Sequence, residues 1–150
     1  MKLALDTNIL AYAEGVNGVE RHDQALDLVA RIPQDAGMIP AQALGELFNV
    51  LVRKAGRTRA QARDALLTWR DAFPSAQTSP ETILLAADLA ADHGLSIWDS
   101  VMLATASQAG CRLLISEDMH DGFTWGGVTV VNPFSATPAP MLEALIGAAQ

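Results

Sequence analysis

Cysteine, histidine and positive charge are all in short supply in this chain. Cys111 is the only cysteine among 150 residues, so neither a disulfide framework nor a thiolate metal cluster is expected, and a reducing cytoplasm fits. The three histidines, His22, His93 and His120, are scattered and lack the spacing of a zinc site. No apolar run is long enough to span a bilayer, and no basic-then-apolar leader opens the chain, so a membrane partner is not expected. A Gly-rich phosphate loop ending in Lys-Ser or Lys-Thr is also missing, which removes P-loop nucleotide hydrolysis. Ten Lys and Arg stand against seventeen Asp and Glu, a net charge of −7. That balance argues against a protein that coats nucleic acid non-specifically.

What remains is ordinary globular composition, half hydrophobic and 18% charged, expected to form one domain over residues 1–150 with a sizeable core. Leu3-Ala4-Leu5 reads as a buried strand that stops at Asp6-Thr7-Asn8, and Ile9, Leu10, Tyr12 and Ala13 restart at helical spacing. A helix follows from Glu20 to Arg31, then a short strand at Met38-Ile39-Pro40. The next helix, about Ala41 to Ala55, directs Leu44, Leu47, Phe48, Leu51 and Val52 inward. Thr58 caps another helix, with Trp69 and Phe73 as core. Ser75 to Ser79 holds a weak strand, and Pro80 opens a helix with Ile83, Leu84, Ala87 and Ala90 inward, ending at His93-Gly94. Ser96 to Asp99 leads into a helix stopped by Gly110. Arg112 to Ile115 is a strand running into Ser116-Glu117-Asp118, and Val128 to Val131 another. Beyond a Pro/Ala-rich stretch near 135–140, a last helix starts at about Met141. Short apolar strands alternating with helices imply an α/β fold, a parallel sheet covered on both faces.

Two strands thus end in carboxylates, Asp6 and Asp118, and parallel strands present their carboxyl ends on one sheet edge. Asp99, in the first turn of its helix, and Glu46, early in the helix after the second strand, are placed to join them. Each acid has an ordinary reading too. Asp6 can cap a helix; Ser96 to Asp99 has capping-box spacing; Glu46 shares a polar stripe with Gln42, Asn49 and Arg53 that a solvated face would also show. Taken together, four carboxylates at one pocket need a positive partner. Without His or Cys nearby, a hard divalent cation, Mg²⁺ or Mn²⁺, is the natural one. Such a site suits phosphoryl chemistry.

These residues carry a family resemblance. Leu5-Asp6-Thr7-Asn8-Ile9-Leu10, the helical Glu46, Gly94 to Asp99 with Ala104 and Ala106, Leu113 to Met119 with Gly122, and Val131-Asn132-Pro133-Phe134 resemble the PIN domain, in the order found in VapC-type toxins. The resemblance implies a three-layer α/β/α fold with about five parallel strands. It also implies a Mg²⁺- or Mn²⁺-dependent endoribonuclease cutting tRNA or rRNA, silenced by a cognate VapB-type antitoxin and usually a homodimer. By position, Asp6, Glu46, Asp99 and Asp118 match the acidic quartet, and Thr7, Asn8 and Ser116 the polar residues that support it. The expected mechanism has Asp6, Asp99 and Asp118 holding the metal, directly or through water, with Glu46 positioning or deprotonating the attacking water. Asp121 is a further supporting candidate, and Glu117 is read as an acid on a solvated loop.

Six of the ten basic residues fall between positions 53 and 70, with no acid from 53 to 63. Arg53, Lys54, Arg57, Arg59 and Arg63 are therefore candidates for gripping RNA phosphates, the alternative being a solvated surface. Trp98 and Trp125 are core or stack on a base or a partner, core being the first reading for Trp98; Tyr12 packs in the first helix or lines the groove; Cys111 packs as a small apolar residue. Two other readings stand beside the nuclease. One is a non-catalytic PIN-like module that binds RNA or an antitoxin. The other is a haloacid-dehalogenase-type phosphatase, although Asn8 stands where that family has a second Asp and no lysine follows Lys54.

Overall fold

The computed structural model describes residues 1–137 and 139–147; within the Pro/Ala-rich stretch, Pro138 lies outside the described residues, as do residues 148–150. The chain runs β1 (Leu3–Leu5), α1 (Thr7–Ala13), α2 (Val19–Arg31), β2 (Gly37–Pro40), α3 (Ala41–Arg53), α4 (Arg59–Ala72) and β3 (Ser75–Ala76). It continues through α5 (Pro80–His93), α6 (Ile97–Gln108), β4 (Leu113–Ile115), β5 (Thr124–Trp125), β6 (Val128–Val131) and α7 (Pro140–Ile146). The strands form one sheet in the order β3-β2-β1-β4-β6-β5. Every pairing is parallel except that of β5 with β6.

The central strands explain the layering. All residues of β1 and β4 are fully buried, which a strand achieves only when helices cover both faces of the sheet. Leu3, Ala4 and Leu5 pair in register with Leu113, Leu114 and Ile115. From β1 the chain proceeds toward β2 and β3, and from β4 toward β6 and β5. The junction of β1 and β4 is thus the place where strand order reverses, and a crevice opens there beyond the carboxyl ends of the strands. The register continues past the strands. The Asp6 N–H donates to the Ile115 carbonyl at 2.9 Å and the Ser116 N–H to the Val131 carbonyl at 3.0 Å, so the residues after β1 and β4 emerge side by side.

Several elements differ from the sequence reading. The two-residue strand β5 escapes periodicity because Thr124-Trp125 is too short to alternate; it returns antiparallel to β6 through the Gly126-Gly127 turn. Helix α5 is rotated about its axis. Ile83, Leu84 and Ala87 face outward, Ala90 is half-buried, and Thr82, Ala86 and Leu89 face in. The reason lies in the partner helix: Ala86 packs with Val101 and Ala104 of α6, while the Thr82 hydroxyl donates to Gln108 Oε1 at 2.5 Å. Because α5 is apolar on most of its circumference, periodicity alone could not choose the face. Trp98 is not core either, being 60% exposed. It sits in the first turn of α6, before that helix enters the interior at Ser100. Trp69, Phe73 and Cys111 are buried as expected.

Candidate active site

Asp6 stands at the start of α1, only 7% exposed. One carboxylate oxygen accepts from the Thr7 N–H at 2.7 Å. The other accepts from the Ser116 hydroxyl at 2.7 Å and the Asn8 amide at 3.4 Å. Asp6 therefore caps α1 and faces the crevice at once. Ser116, fully buried after β4, also accepts from Asn8 Nδ2 at 3.2 Å and from the Asp118 N–H at 3.3 Å. Asn8 joins the two strand ends: its Nδ2 also approaches Asp118 Oδ2 at 3.2 Å, and its Oδ1 accepts from the Glu117 N–H at 3.2 Å. Two amide protons thus serve three oxygens, which fixes the side chain more than any one strong bond would.

Glu46 reaches the same crevice from α3. Its Oε2 accepts from the Thr7 hydroxyl at 2.7 Å and its Oε1 from Gln42 Nε2 at 2.6 Å. Asp99 approaches from α6, where the Ser96 hydroxyl does the capping by accepting the Asp99 N–H at 3.1 Å. Its carboxylate is thereby not needed for that cap. Burial pushes the Asp6 carboxyl from 3.8 up to about 6; its bonds to Ser116 and Thr7 oppose the shift, and the charges of Glu46 and Asp99 add to it. Asp99 is also raised, chiefly by burial and further by Asp118 and Glu46. These acids therefore sense one another's charge.

The donor set fits a hard divalent cation in kind and in charge. All candidate ligands are oxygens, and the four ion pairs among the described residues involve other acids: Glu117, Asp27, Glu14 and Asp64. Neutral donors hold the quartet in place without cancelling its charge, as a cation site requires. Among the described residues no three acidic, histidine or cysteine side chains stand close enough to share one ion. Glu46 and Asp118 line one groove, and Asp6 and Asp99 lie near enough to feel the charge of that edge.

A groove of about 440 Å³ runs from this edge between α1 and α3, with Thr7, Asn8, Glu46 and Asp118 at one end and Lys54 on its wall. The PIN domain family profile matches residues 3–120. The chain belongs to the PIN-domain family. Ribonuclease VapC7 of Mycobacterium tuberculosis is 31% identical over 121 residues, covering 77% of this chain and 81% of that protein. A toxin–antitoxin complex from Klebsiella pneumoniae shares the fold at a TM-score of 0.66 and 22% identity, over 89% of this chain and 98% of that one. VapC20 of Mycobacterium tuberculosis, described as a sarcin–ricin loop cleaving toxin, does so at 0.64 and 22% identity, over 75% and 87%.

Within this PIN domain, the other sequence candidates separate by surroundings. Asp121 accepts the Asn132 N–H at 2.9 Å, tying the loop after β4 to the end of β6. Glu117 is not a solvated acid: it accepts the Tyr12 hydroxyl at 2.5 Å and pairs with Arg21 at 2.6 Å. Burial first, then Glu117, lift the Tyr12 phenol to about 12. Arg57 turns inward to Glu14, with Nη1 on the carboxylate at 2.6 Å and Nη2 on the Glu14 carbonyl at 2.8 Å. Arg53, Lys54, Arg59 and Arg63 stay exposed. Trp125 packs beside the small cluster of Ala86, Val101 and Ala104. One residue was missed as a site residue and another was left open. Gln42 lies one turn before Glu46 on its polar stripe, a spacing at which an amide reaches a carboxylate. Tyr12 faces both the groove and Glu117, which helical spacing alone left open.

Proposed function

We propose that this PIN-domain protein is a Mg²⁺- or Mn²⁺-dependent endoribonuclease, the toxin of a toxin–antitoxin pair, cutting structured RNA such as tRNA or rRNA. The observation that carries this reading is the carboxylate edge at the β1–β4 junction, where a buried Asp6 feels the charges of Glu46 and Asp99 and, among the described residues, no basic side chain pairs with any of them. Asp6, Asp99 and Asp118 would hold the ion between them, directly or through bridging water, since their side chains do not converge on a single point. When bound, a divalent ion supplies charge neutralisation at the phosphate and a water of lowered pKa. Glu46, held by Thr7 and Gln42, orients the attacking water and accepts its proton. The water oxygen bonds to phosphorus, the bond to the 3′ oxygen breaks, and the products carry a 3′-hydroxyl and a 5′-phosphate. Thr7, Asn8 and Ser116 keep the carboxylates in register, and Arg53, Lys54, Arg59 and Arg63 draw the phosphate chain toward the groove.

The names of its relatives support the substrate and the partner: a ribonuclease, a toxin that cleaves the sarcin–ricin loop, and a toxin–antitoxin complex. A VapB-type antitoxin is the expected inhibitor, and the cytoplasm the expected place of action. The outward apolar face of α5, where Leu84 is 68% exposed beside Ile83, supports a homodimer, because such a patch is costly to leave in water. With PIN membership shown, the phosphatase reading loses its ground. Incubating the purified protein with total RNA, with and without Mn²⁺, and sequencing the new ends tests the proposal and separates it from a non-catalytic module. New 5′-phosphate ends that need Mn²⁺ and vanish in Asp6→Asn are expected; RNA left intact under both conditions would overturn it.

A further inference from the structure

Glu46 and Asn49 form a ridge between two depressions. On one side lies the groove that holds Lys54; on the other lies an open hollow of about 670 Å³ lined by Gln42, Gly45, Glu46, Phe48, Asn49 and Trp98. The hollow has an aromatic wall, since Trp98 is 60% exposed and Phe48 is half-buried. Its rim carries the side-chain amides of Gln42 and Asn49, and Gln42 Nε2 spans Glu46 Oε1 at 2.6 Å and the Trp98 carbonyl at 3.4 Å. Trp98 directly precedes the candidate ligand Asp99, so its indole is anchored to the acidic edge by its own backbone.

We propose that Trp98 is a specificity-determining residue: it stacks on an unpaired base of the RNA next to the cut phosphate, with the Gln42 and Asn49 amides at the base edge. This rests on the endoribonuclease reading and names which feature of the RNA the site requires. Three observations favour a base as the occupant. The hollow shares Glu46 with the carboxylate edge, so a chain whose phosphate lies at that edge must pass over it. A flat π-surface with amide hydrogen-bonding groups at its margin is how unpaired bases are held, whereas the outward apolar residues of α5, Ile83, Leu84 and Ala87, are aliphatic. Lys54 stands across the ridge, placed to meet a phosphate of the same chain on the other side of the cut.

The test compares wild type with Trp98→Phe, Trp98→Leu and Trp98→Ala, each as the whole chain. The substrate is the RNA whose cut site the end-mapping finds, made with its natural base or with an abasic nucleotide beside the cut. Loss of one stacked base predicts a drop in kcat/KM of about ten- to hundredfold for Trp98→Ala and Trp98→Leu, with Trp98→Phe within about fivefold of wild type. Leucine keeps the apolar bulk, so a merely structural role would spare Trp98→Leu. The abasic RNA should cost the wild type a similar factor and Trp98→Ala nothing more. Unchanged activity in Trp98→Ala, or losses that multiply, would overturn the proposal. So would dissociation of an oligomer by Trp98→Ala with the base dependence intact, which would give Trp98 to a protein contact. Should the wild type cut no RNA, the endoribonuclease reading fails separately, and stacking is read from fluorescence. Asp6→Asn is then titrated with short single-stranded RNA in Mg²⁺. Quenching that disappears when Trp98→Leu is added upholds the stack; equal quenching in both chains refutes it.

Discussion

Two sets of acids meet at helix α1, and they are treated in opposite ways. Glu14, at its C-terminal end, receives two bonds from Arg57 and a third from Trp69 Nε1 at 3.0 Å. Glu117 receives Arg21 and the Tyr12 hydroxyl, while Arg21 also lies over the Phe134 ring at 4.4 Å. Each of these acids has a guanidinium and an aromatic donor, and each ties distant elements together. Asp6, at the other end of the same helix, is more buried than either and receives only neutral donors. The first set holds the fold. The second stores unfavourable charge that the fold alone does not require, as an active site does when a cationic partner is to arrive later.

Asp6→Asn should break this contrast most visibly. Cleavage should fall by about a thousandfold or more, since an amide removes a ligand charge from the reacting edge. Stability should move the other way. Burial raises the folded pKa of Asp6 from 3.8 to about 6, so the folded chain holds its proton where the unfolded chain has lost it. Stability therefore falls as pH rises through that window, by about 3 kcal/mol in full. The variant should gain up to about that amount near pH 8 and little near pH 4. Thermal melts at the two pH values check this, and equal melting of both proteins at pH 8 would count against an uncompensated Asp6.

Glu14→Ala should do the reverse, costing about 2 kcal/mol by taking the carboxylate from Arg57 Nη1 and the Trp69 N–H, while Arg57 Nη2 keeps the backbone carbonyl of residue 14. Urea midpoints measure the loss, while cleavage per folded molecule should stay near wild type; a drop in kcat with unchanged stability would place Glu14 in the wrong set. Glu117→Gln removes the ionic pair with a half-exposed Arg21 but keeps an acceptor for Tyr12, so a loss of about 1 kcal/mol is expected in the same titration. The smallest effects belong to the basic segment. Arg53→Ala and Lys54→Ala should each flatten the salt dependence of RNA binding by about 0.7 in log–log slope, with stability changed by no more than about 0.5 kcal/mol. Arg57→Ala should lower stability with no change in slope. A slope change from Arg57 would show that its bond with Glu14 yields to RNA.

Much of the candidate site was legible because its carboxylates sit at element boundaries. Asp6 and Asp118 follow apolar runs that can only be buried strands, and Ser96 marks the start of the helix bearing Asp99. Residues whose role depends on rotation or on a distant partner were not legible in this way. Ile83 and Leu84 have the polarity of core residues, and only the packing of Ala86 against α6 turns them out. Arg57 has the same local context as Arg53 and Arg59; its difference is Glu14, forty-three positions away. Glu117 resembles any loop acid until Tyr12 and Arg21 are brought to it.

The sequence by itself determined the α/β alternation, the strands that end in acids and the kind of cation those acids suit, because apolar runs, turn residues and carboxylate chemistry are local properties. The tertiary structure decided which acids pair with a basic side chain and which meet only neutral donors. That choice depends on distances between side chains far apart in the chain, set when β1 and β4 align and bring Asp6, Asn8, Ser116 and Asp118 to one edge.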